Sequence, residues 1–193
     1  MNDEGLYFNI GLFGKVDVGK SIIAVKYITN HFIEYQDPCI EDEYRRLNEL
    51  NDQKLYTSIL DTAYPRDIYD PFQRWVEYSQ VFVLIYSIID KSSFQEILEI
   101  HEKILHFLNV QDYPKILIGN KSDLFTKREV KTKQGKELAK QLNCKYIETS
   151  AKTGENIHQL FYEASILAFE EMKKNPNKFK NQNKKKKGKC LLM

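Results

Sequence analysis

The segment Gly14-Lys15-Val16-Asp17-Val18-Gly19-Lys20-Ser21 fits the pattern G-x-x-x-x-G-K-[ST]. Such a loop turns successive main-chain N–H groups toward one spot, and the helix after it adds the positive end of its dipole. Phosphate oxygens suit that cradle. Lys20 would bring an ammonium to the β- and γ-phosphates, and the Ser21 hydroxyl would bind Mg²⁺. The plain alternative is a glycine turn that happens to precede a lysine. Average composition puts a chance match in a chain of 193 residues at about one in a hundred.

Three further clusters point the same way. In Asn120-Lys121-Ser122-Asp123 the Asp123 carboxylate can accept two hydrogen bonds, from N1–H and the 2-amino group of guanine. Adenine offers no such donor pair and would leave a buried carboxylate unpaired, the kind of asymmetry that discriminates strongly. The main chain of Ser150-Ala151-Lys152 could meet the guanine O6, and Asp61 is placed to hold the shell of a Mg²⁺ ion. Alone, each cluster is weak, since a loop aspartate after a strand is more often a turn residue. All four in this order, each after a strand, make coincidence improbable.

The elements that must position these residues alternate. Leu6–Phe13 reads as a buried strand, and 21–32 has helical spacing. Tyr44–Leu50 and Leu55–Leu60 read as an antiparallel pair turned by Asn51-Asp52-Gln53. Val81–Ser87 is continuously apolar, as a strand covered on both faces is. Phe94–Leu108 carries Phe94, Ile97, Leu98, Ile104, Leu105 and Leu108 along a helical stripe. Lys115–Gly119 and Lys145–Ile147 are short strands, 132–142 is a short helix, and about 156–174 is the last one. Such alternation implies an α/β fold, a mostly parallel sheet with helices on both faces and ligands at the carboxyl ends of its strands.

Composition agrees. Apolar residues make up 42% and charged residues 29%, enough for one core. The longest apolar stretch, Val81 to Ile89, is far short of a membrane span, and the opening Met1-Asn2-Asp3-Glu4 does not read as a secretory signal. Cys39, Cys144 and Cys190 are too few and too scattered for a disulfide framework, so a reducing compartment is the default. The net charge of +2 hides an asymmetry: nine lysines and no acid lie from Lys173 onward, leaving 20 basic and 27 acidic side chains before it. An acidic body is a poor nucleic-acid ligand. The division expected is a domain over 1–174 and a polybasic tail over 175–193, with almost no core-forming residues and therefore disordered.

On these motifs, with His31-Phe32, Asp37-Pro38-Cys39-Ile40-Glu41-Asp42, Asp61-Thr62-Ala63 and the terminal Cys190-Leu191-Leu192-Met193, the chain resembles a Ras-family small GTPase over its whole length. The resemblance implies a P-loop NTPase G domain of five helices and a six-stranded sheet. It also implies GDP or GTP as the bound nucleotide, Mg²⁺ as cofactor, a monomer, effector proteins, an exchange factor and a GTPase activator. By the same resemblance the nucleotide contacts fall to Gly14, Val16, Asp17, Val18, Gly19, Lys20, Ser21, Asn120, Lys121, Asp123, Ser150, Ala151 and Lys152, with Phe32 against the guanine. The effector edge falls to Ile40, Glu41, Asp42, Glu43 and Tyr44.

The departures from the family gather around the γ-phosphate. Val16 and Asp17 stand where glycines are usual; the valine crowds the attacking water and a partner's arginine, and the aspartate brings like charge toward a phosphate unless it faces solvent or a cation. Cys39 replaces a threonine that holds Mg²⁺ in the first switch, and a thiol is a poor ligand for a hard cation. Tyr64-Pro65 replaces Gly-Gln in the second switch; Pro65 has no amide side chain to position water, and Pro71 is expected to interrupt the helix that follows. Weakened hydrolysis is the expectation, with Lys20 left to stabilise phosphate charge. The rival reading is a non-catalytic GTP-binding scaffold that acts through partners.

Cys190-Leu191-Leu192-Met193 fits C-a-a-X with a terminal methionine, which favours farnesylation. One lipid chain anchors marginally, and Lys184–Lys187 with Lys189 supply the second signal on an anionic leaflet. The expected location is the cytoplasmic face of the plasma membrane.

Overall fold

The computed structural model describes residues 6–32, 42–50, 53–62 and 71–175. Its elements run β1 (Leu6–Phe13), α1 (Lys20–Thr29), β2 (Asp42–Leu50), β3 (Gln53–Asp61), α2 (Phe72–Tyr78), β4 (Val81–Ser87), α3 (Lys91–Leu108), β5 (Lys115–Asn120), a 3-10 segment (Ser122–Lys127), α4 (Thr132–Gln141), β6 (Lys145–Thr149) and α5 (Ile157–Lys174). The six strands form one sheet in the order β2-β3-β1-β4-β5-β6. Among the described residues only β2 and β3 pair antiparallel, with Asp42 opposite Asp61 and Leu50 opposite Gln53. All other pairs are parallel.

β4 explains the two-sided core. All seven of its residues are buried. Val81, Val83 and Ile85 enter the cluster that holds Ile23 and Tyr27 of α1 and Leu160, Phe161 and Ala164 of α5. Phe82, Leu84 and Tyr86 enter the cluster that holds Trp75 of α2, Ile97 and Ile104 of α3 and Leu138 of α4. A strand sends alternate side chains to opposite faces, so a continuous apolar run demands helices on both. Trp75 is 5% exposed and packs within the second cluster. Cys144 is half-buried, and burial raises its thiol to about 11.

Pro71 precedes the first residue of α2, Phe72, and its carbonyl accepts the Trp75 N–H at 3.1 Å; the residues before it, 63–70, where an interrupted helix was expected, lie outside the described residues. Proline fits a helix start because no intrahelical donor is required of it there. Leu98 is not on the buried stripe of α3 but 47% exposed, and Ile100 is buried in its place. Ile97, Ile100 and Ile104 sit at helical spacing, and Leu98, one position on from Ile97, points elsewhere.

Cys39, Ile40, Glu41, Ala63, Tyr64, Pro65, the tail lysines from Lys178 onward and Cys190 lie outside the described residues.

Candidate functional site

The candidate phosphate loop closes the gap between β1 and α1 at the carboxyl end of the sheet. Gly14 has φ 155° and Gly19 φ 95°, the latter in the region that side chains avoid. A Cβ on Gly14 would sit 2.1 Å from the Ile85 carbonyl oxygen, and one on Gly19 2.5 Å from the Asn120 side-chain nitrogen. Asp17 also has positive φ, 65°, which explains why the family favours glycine at this place. Aspartate is among the few residues that tolerate this backbone. Its side chain is exposed, so the solvent-facing arrangement is the one adopted. Val16 is half-buried, and Val18 is buried in the core under the loop.

Lys20 opens α1 and is 7% exposed. Its ammonium donates to the carbonyls of Gly14 at 2.9 Å and Lys15 at 3.0 Å. Burial lowers its pKa, opposed by the charges of Asp61, Glu96 and Asp17. Asp61, the last residue of β3, is 1% exposed, and among the described residues neither carboxylate oxygen has a hydrogen-bond partner of good geometry. Burial pushes its carboxyl up to about 6, against the pull of the Ser21 hydroxyl and the Lys20 ammonium. The two shifts are complementary. A buried ammonium made less basic calls for an anion, and a buried carboxylate made less acidic calls for a cation. Ser21 and Asp61 therefore fit a hard divalent ion, and Lys20 with the loop amides fits the phosphates such an ion accompanies. Thr62, next along, is buried and donates to the Leu12 carbonyl at 2.7 Å, which fixes the end of β3 against β1.

The second half of the site stands at the ends of β5 and β6. Asn120 is 1% exposed; its amide donates to the Val18 carbonyl at 2.8 Å, and its oxygen accepts from Thr149 at 3.1 Å. Lys121 takes a left-handed backbone, φ 68°, and turns the chain into the 3-10 segment that carries Asp123. The Ser150 hydroxyl donates to Asp123 Oδ1 at 2.6 Å and accepts from the Thr153 N–H. Ser150 also ties its main chain to Glu155 and Gly154, while Ser122 donates to Glu155 at 2.7 Å. Ala151 is buried and Lys152 exposed. Phe32 lies past the end of α1 and is 39% exposed. The structure thus gathers Gly14–Ser21, Asp61, Asn120–Asp123 and Ser150–Lys152 at one end of the sheet.

With that geometry in place, comparison decides the class. The sequence profile of the Ras family matches residues 9–169.

The chain belongs to the Ras family.

It is 41% identical over 153 residues to the Ras-like protein rasV of Dictyostelium discoideum, covering 79% of this chain and 67% of the relative. It is 38% identical over 156 residues to the Ras-like protein rasS of the same organism, covering 81% and 80%. It is 35% identical over 156 residues to the Ras-like protein RAS2 of Hydra vulgaris, covering 81% of each. Ras-family proteins are small GTPases that as a class bind GTP and GDP with Mg²⁺ and meet effectors and exchange factors.

Within the Ras-family frame, β2 is the edge strand, so the Asp42–Tyr44 part of the expected effector edge borders solvent. Tyr44 bonds Asp42 at 3.3 Å, and Glu43 accepts from Arg45 at 3.0 Å and from Ser58. Sequence reasoning missed Lys15. Its ammonium donates to Ser92 Oγ at 2.6 Å and lies 4.0 Å from Asp90, tying the loop to the first turn of α3. No pattern flags a partner 77 positions away. Thr149 and Glu155 were missed for the same reason.

Proposed function

We propose that this Ras-family chain is a guanine-nucleotide switch, anchored to a membrane, whose GTP hydrolysis is slow at the source. The observation that carries the nucleotide site is the buried Asp61 carboxylate, without a hydrogen-bond partner among the described residues and beside Ser21 and Lys20. The main-chain amides of Gly14–Ser21 would cradle the phosphates, with Val16, Asp17, Val18 and Gly19 contributing backbone and Lys20 adding charge. Ser21, and Asp61 through water, would hold Mg²⁺, which when bound neutralises charge on the β- and γ-oxygens. Asp123, held by Ser150, would select guanine, with Ala151, Lys152 and Phe32 closing on the base.

Slow hydrolysis rests on chemistry missing from the sequence. Phosphoryl transfer needs little covalent help from a protein; positioning and electrostatics supply nearly all of it. Pro65 offers no amide to orient water, Val16 crowds the water's place, and Cys39 weakens the grip of the first switch on Mg²⁺. Ile40–Tyr44 would meet effectors, and farnesylated Cys190 with the lysine run would hold the chain on an anionic leaflet.

The test is nucleotide content of the purified full-length protein, then single-turnover GTP hydrolysis with and without an arginine-donating activator. The expected result is bound GDP or GTP, slow turnover and little rescue. Turnover at the ordinary Ras-family rate overturns the slow-hydrolysis reading, and absence of any Mg²⁺-dependent GDP or GTP binding overturns the switch. For the anchor, Cys190→Ser should move the protein to the soluble fraction of cells; unchanged membrane fractionation refutes it.

A further inference from the structure

Ser122 and Glu155 stand outside the contacts assigned above to the nucleotide, yet they close a ring through Asp123. The Ser150 hydroxyl donates to Asp123 Oδ1 at 2.6 Å, and the Ser150 N–H donates to the Glu155 carbonyl at 3.1 Å. The Ser122 hydroxyl donates to Glu155 Oε2 at 2.7 Å. The peptide bond between Ser122 and Asp123 completes the circuit. It joins the loop after β5 to the loop after β6.

The second loop fixes Glu155 through its own main chain. The Gly154 N–H donates to the Ser150 carbonyl at 2.8 Å, the Thr153 N–H to the Ser150 hydroxyl at 3.1 Å, and the Glu155 N–H to the Thr153 hydroxyl at 3.3 Å. Gly154, at φ 87°, takes the left-handed backbone that lets the chain turn so tightly. From that fixed base the exposed Glu155 side chain reaches across to Ser122. In the first loop Lys121, at φ 68°, makes the corresponding turn, and its carbonyl accepts the Leu124 N–H at 2.9 Å.

A carboxylate that reads N1–H and the 2-amino group of guanine must hold both oxygens in one plane with the base. The bond from Ser150 holds one oxygen and leaves the carboxylate free to swing about it. A second tie, one residue away on the main chain, removes that swing. A hydroxyl bonded to a carboxylate is charge-assisted and stronger than a neutral pair. At the surface it adds little to the fold as a whole, but a small displacement of a positioned group is costly.

We propose that Glu155, acting through Ser122, is a positioning residue for guanine selection within the nucleotide site described under Proposed function. It holds Asp123 in register with the two donors of the base and touches no nucleotide atom itself.

The experiment measures affinity for GDP and for inosine diphosphate, with Mg²⁺, in the full-length protein. The variants are Glu155→Ala, Glu155→Gln, Ser122→Ala and the double variant with both alanines. Inosine lacks the 2-amino group, so it offers Asp123 one donor where guanine offers two. Glu155→Ala and Ser122→Ala should each weaken GDP about tenfold and inosine diphosphate about threefold, narrowing the preference. Glu155→Gln keeps an oxygen that accepts from Ser122 and should keep the wild-type preference. The double variant should match either single one, as members of one tie do. Equal losses for both nucleotides, a glutamine variant as poor as the alanine, or losses that add in the double variant would each overturn the proposal. Because this role presupposes the nucleotide site, a wild type that binds neither nucleotide sinks both. A wild type that prefers GDP, with the preference intact in Glu155→Ala, overturns the positioning role alone.

Discussion

The side-chain amide of Asn120 donates to the main-chain carbonyl of Val18 at 2.8 Å, across 102 positions of sequence. One bond therefore joins the loop that would hold phosphates to the loop that would read the base. Gly19 is compelled by the same contact, since a Cβ there would press on that amide. The two halves of the site hold their spacing through Asn120.

Asn120→Ala should therefore weaken the grip on nucleotide more than it weakens the fold. It strands the buried Val18 carbonyl and frees Thr149, at a cost of about 1–3 kcal/mol. Release of a fluorescent GDP analogue should speed by tenfold or more by the usual conversion of such energies, about 1.4 kcal/mol per decade. An unchanged release rate with a lowered melting temperature would make the bond merely structural.

Asp61→Asn should act in opposite directions with and without the metal. The carboxylate is buried without a hydrogen-bond partner among the described residues, so a neutral isostere relieves a desolvated charge. In EDTA the variant should melt higher than wild type, by an amount on the order of 1–3 kcal/mol. With Mg²⁺ and GDP it should melt lower, because the ion loses its anchor. Thermal melts under both conditions check the sign; a variant less stable in both would mean that Asp61 is satisfied by the protein itself.

Much of this was legible in the sequence, and the limit is physical. β4 carries a continuous apolar run, and β1 a buried one broken by Asn9 and Gly11; each is bounded by a polar or glycine residue, so their bounds were readable. The phosphate loop and the Asn120–Asp123 and Ser150–Lys152 clusters are local in sequence and could be found as words. α2 has seven residues, too short for its period to declare itself. Leu98 and Ile97 are adjacent and equally apolar; only packing decides which faces inward. Lys15 to Ser92, Asn120 to Val18 and Ser150 to Asp123 join residues far apart, and no periodicity encodes such pairs.

Lys15→Met tests the tether to α3. The bond to Ser92 and the pair with Asp90 are exposed, so global stability should change by less than about 1 kcal/mol. The loop itself loses a brace on the side away from Asn120, and GDP release should quicken several-fold. Asp90→Asn removes only the charge and keeps the cap on α3, so a smaller effect there would locate the brace in the hydrogen bond to Ser92. Equal release from Lys15→Met and wild type would discard the tether.

The acid limb of stability should run through Glu148. Burial alone would raise its pKa, but hydrogen bonds from Arg128, Tyr146 and Thr132 more than offset it, and the carboxyl stands below its ordinary value. Arg128 reaches both carboxylate oxygens at 2.8 Å. A group with a depressed folded pKa contributes its full stabilisation above the unfolded value, near 4.5, and loses it as pH falls through the folded one. Wild type should thus lose stability below about pH 4.5 more steeply than Glu148→Gln, which is weaker at pH 7. Urea midpoints at pH 7 and pH 4 would show the two converging; parallel curves would remove Glu148 from the acid transition.

If slow hydrolysis follows from lost positioning, restoring the parts should restore rate in a definite order. Pro65→Gln returns an amide but leaves Tyr64 ahead of it, so alone it should gain little. Tyr64→Gly with Pro65→Gln returns both the flexible amide and the water-orienting side chain, and single-turnover hydrolysis should rise by about tenfold or more, the scale of one positioned group. Adding Val16→Gly opens the space for an attacking water and for an activator's arginine, so activator response should appear only in that triple variant. Affinity for GDP should stay level across the series, since the loop amides, Lys20, Asn120 and Asp123 are untouched. A triple variant that hydrolyses GTP no faster than wild type would place the defect elsewhere, with Cys39→Thr as the next change to make.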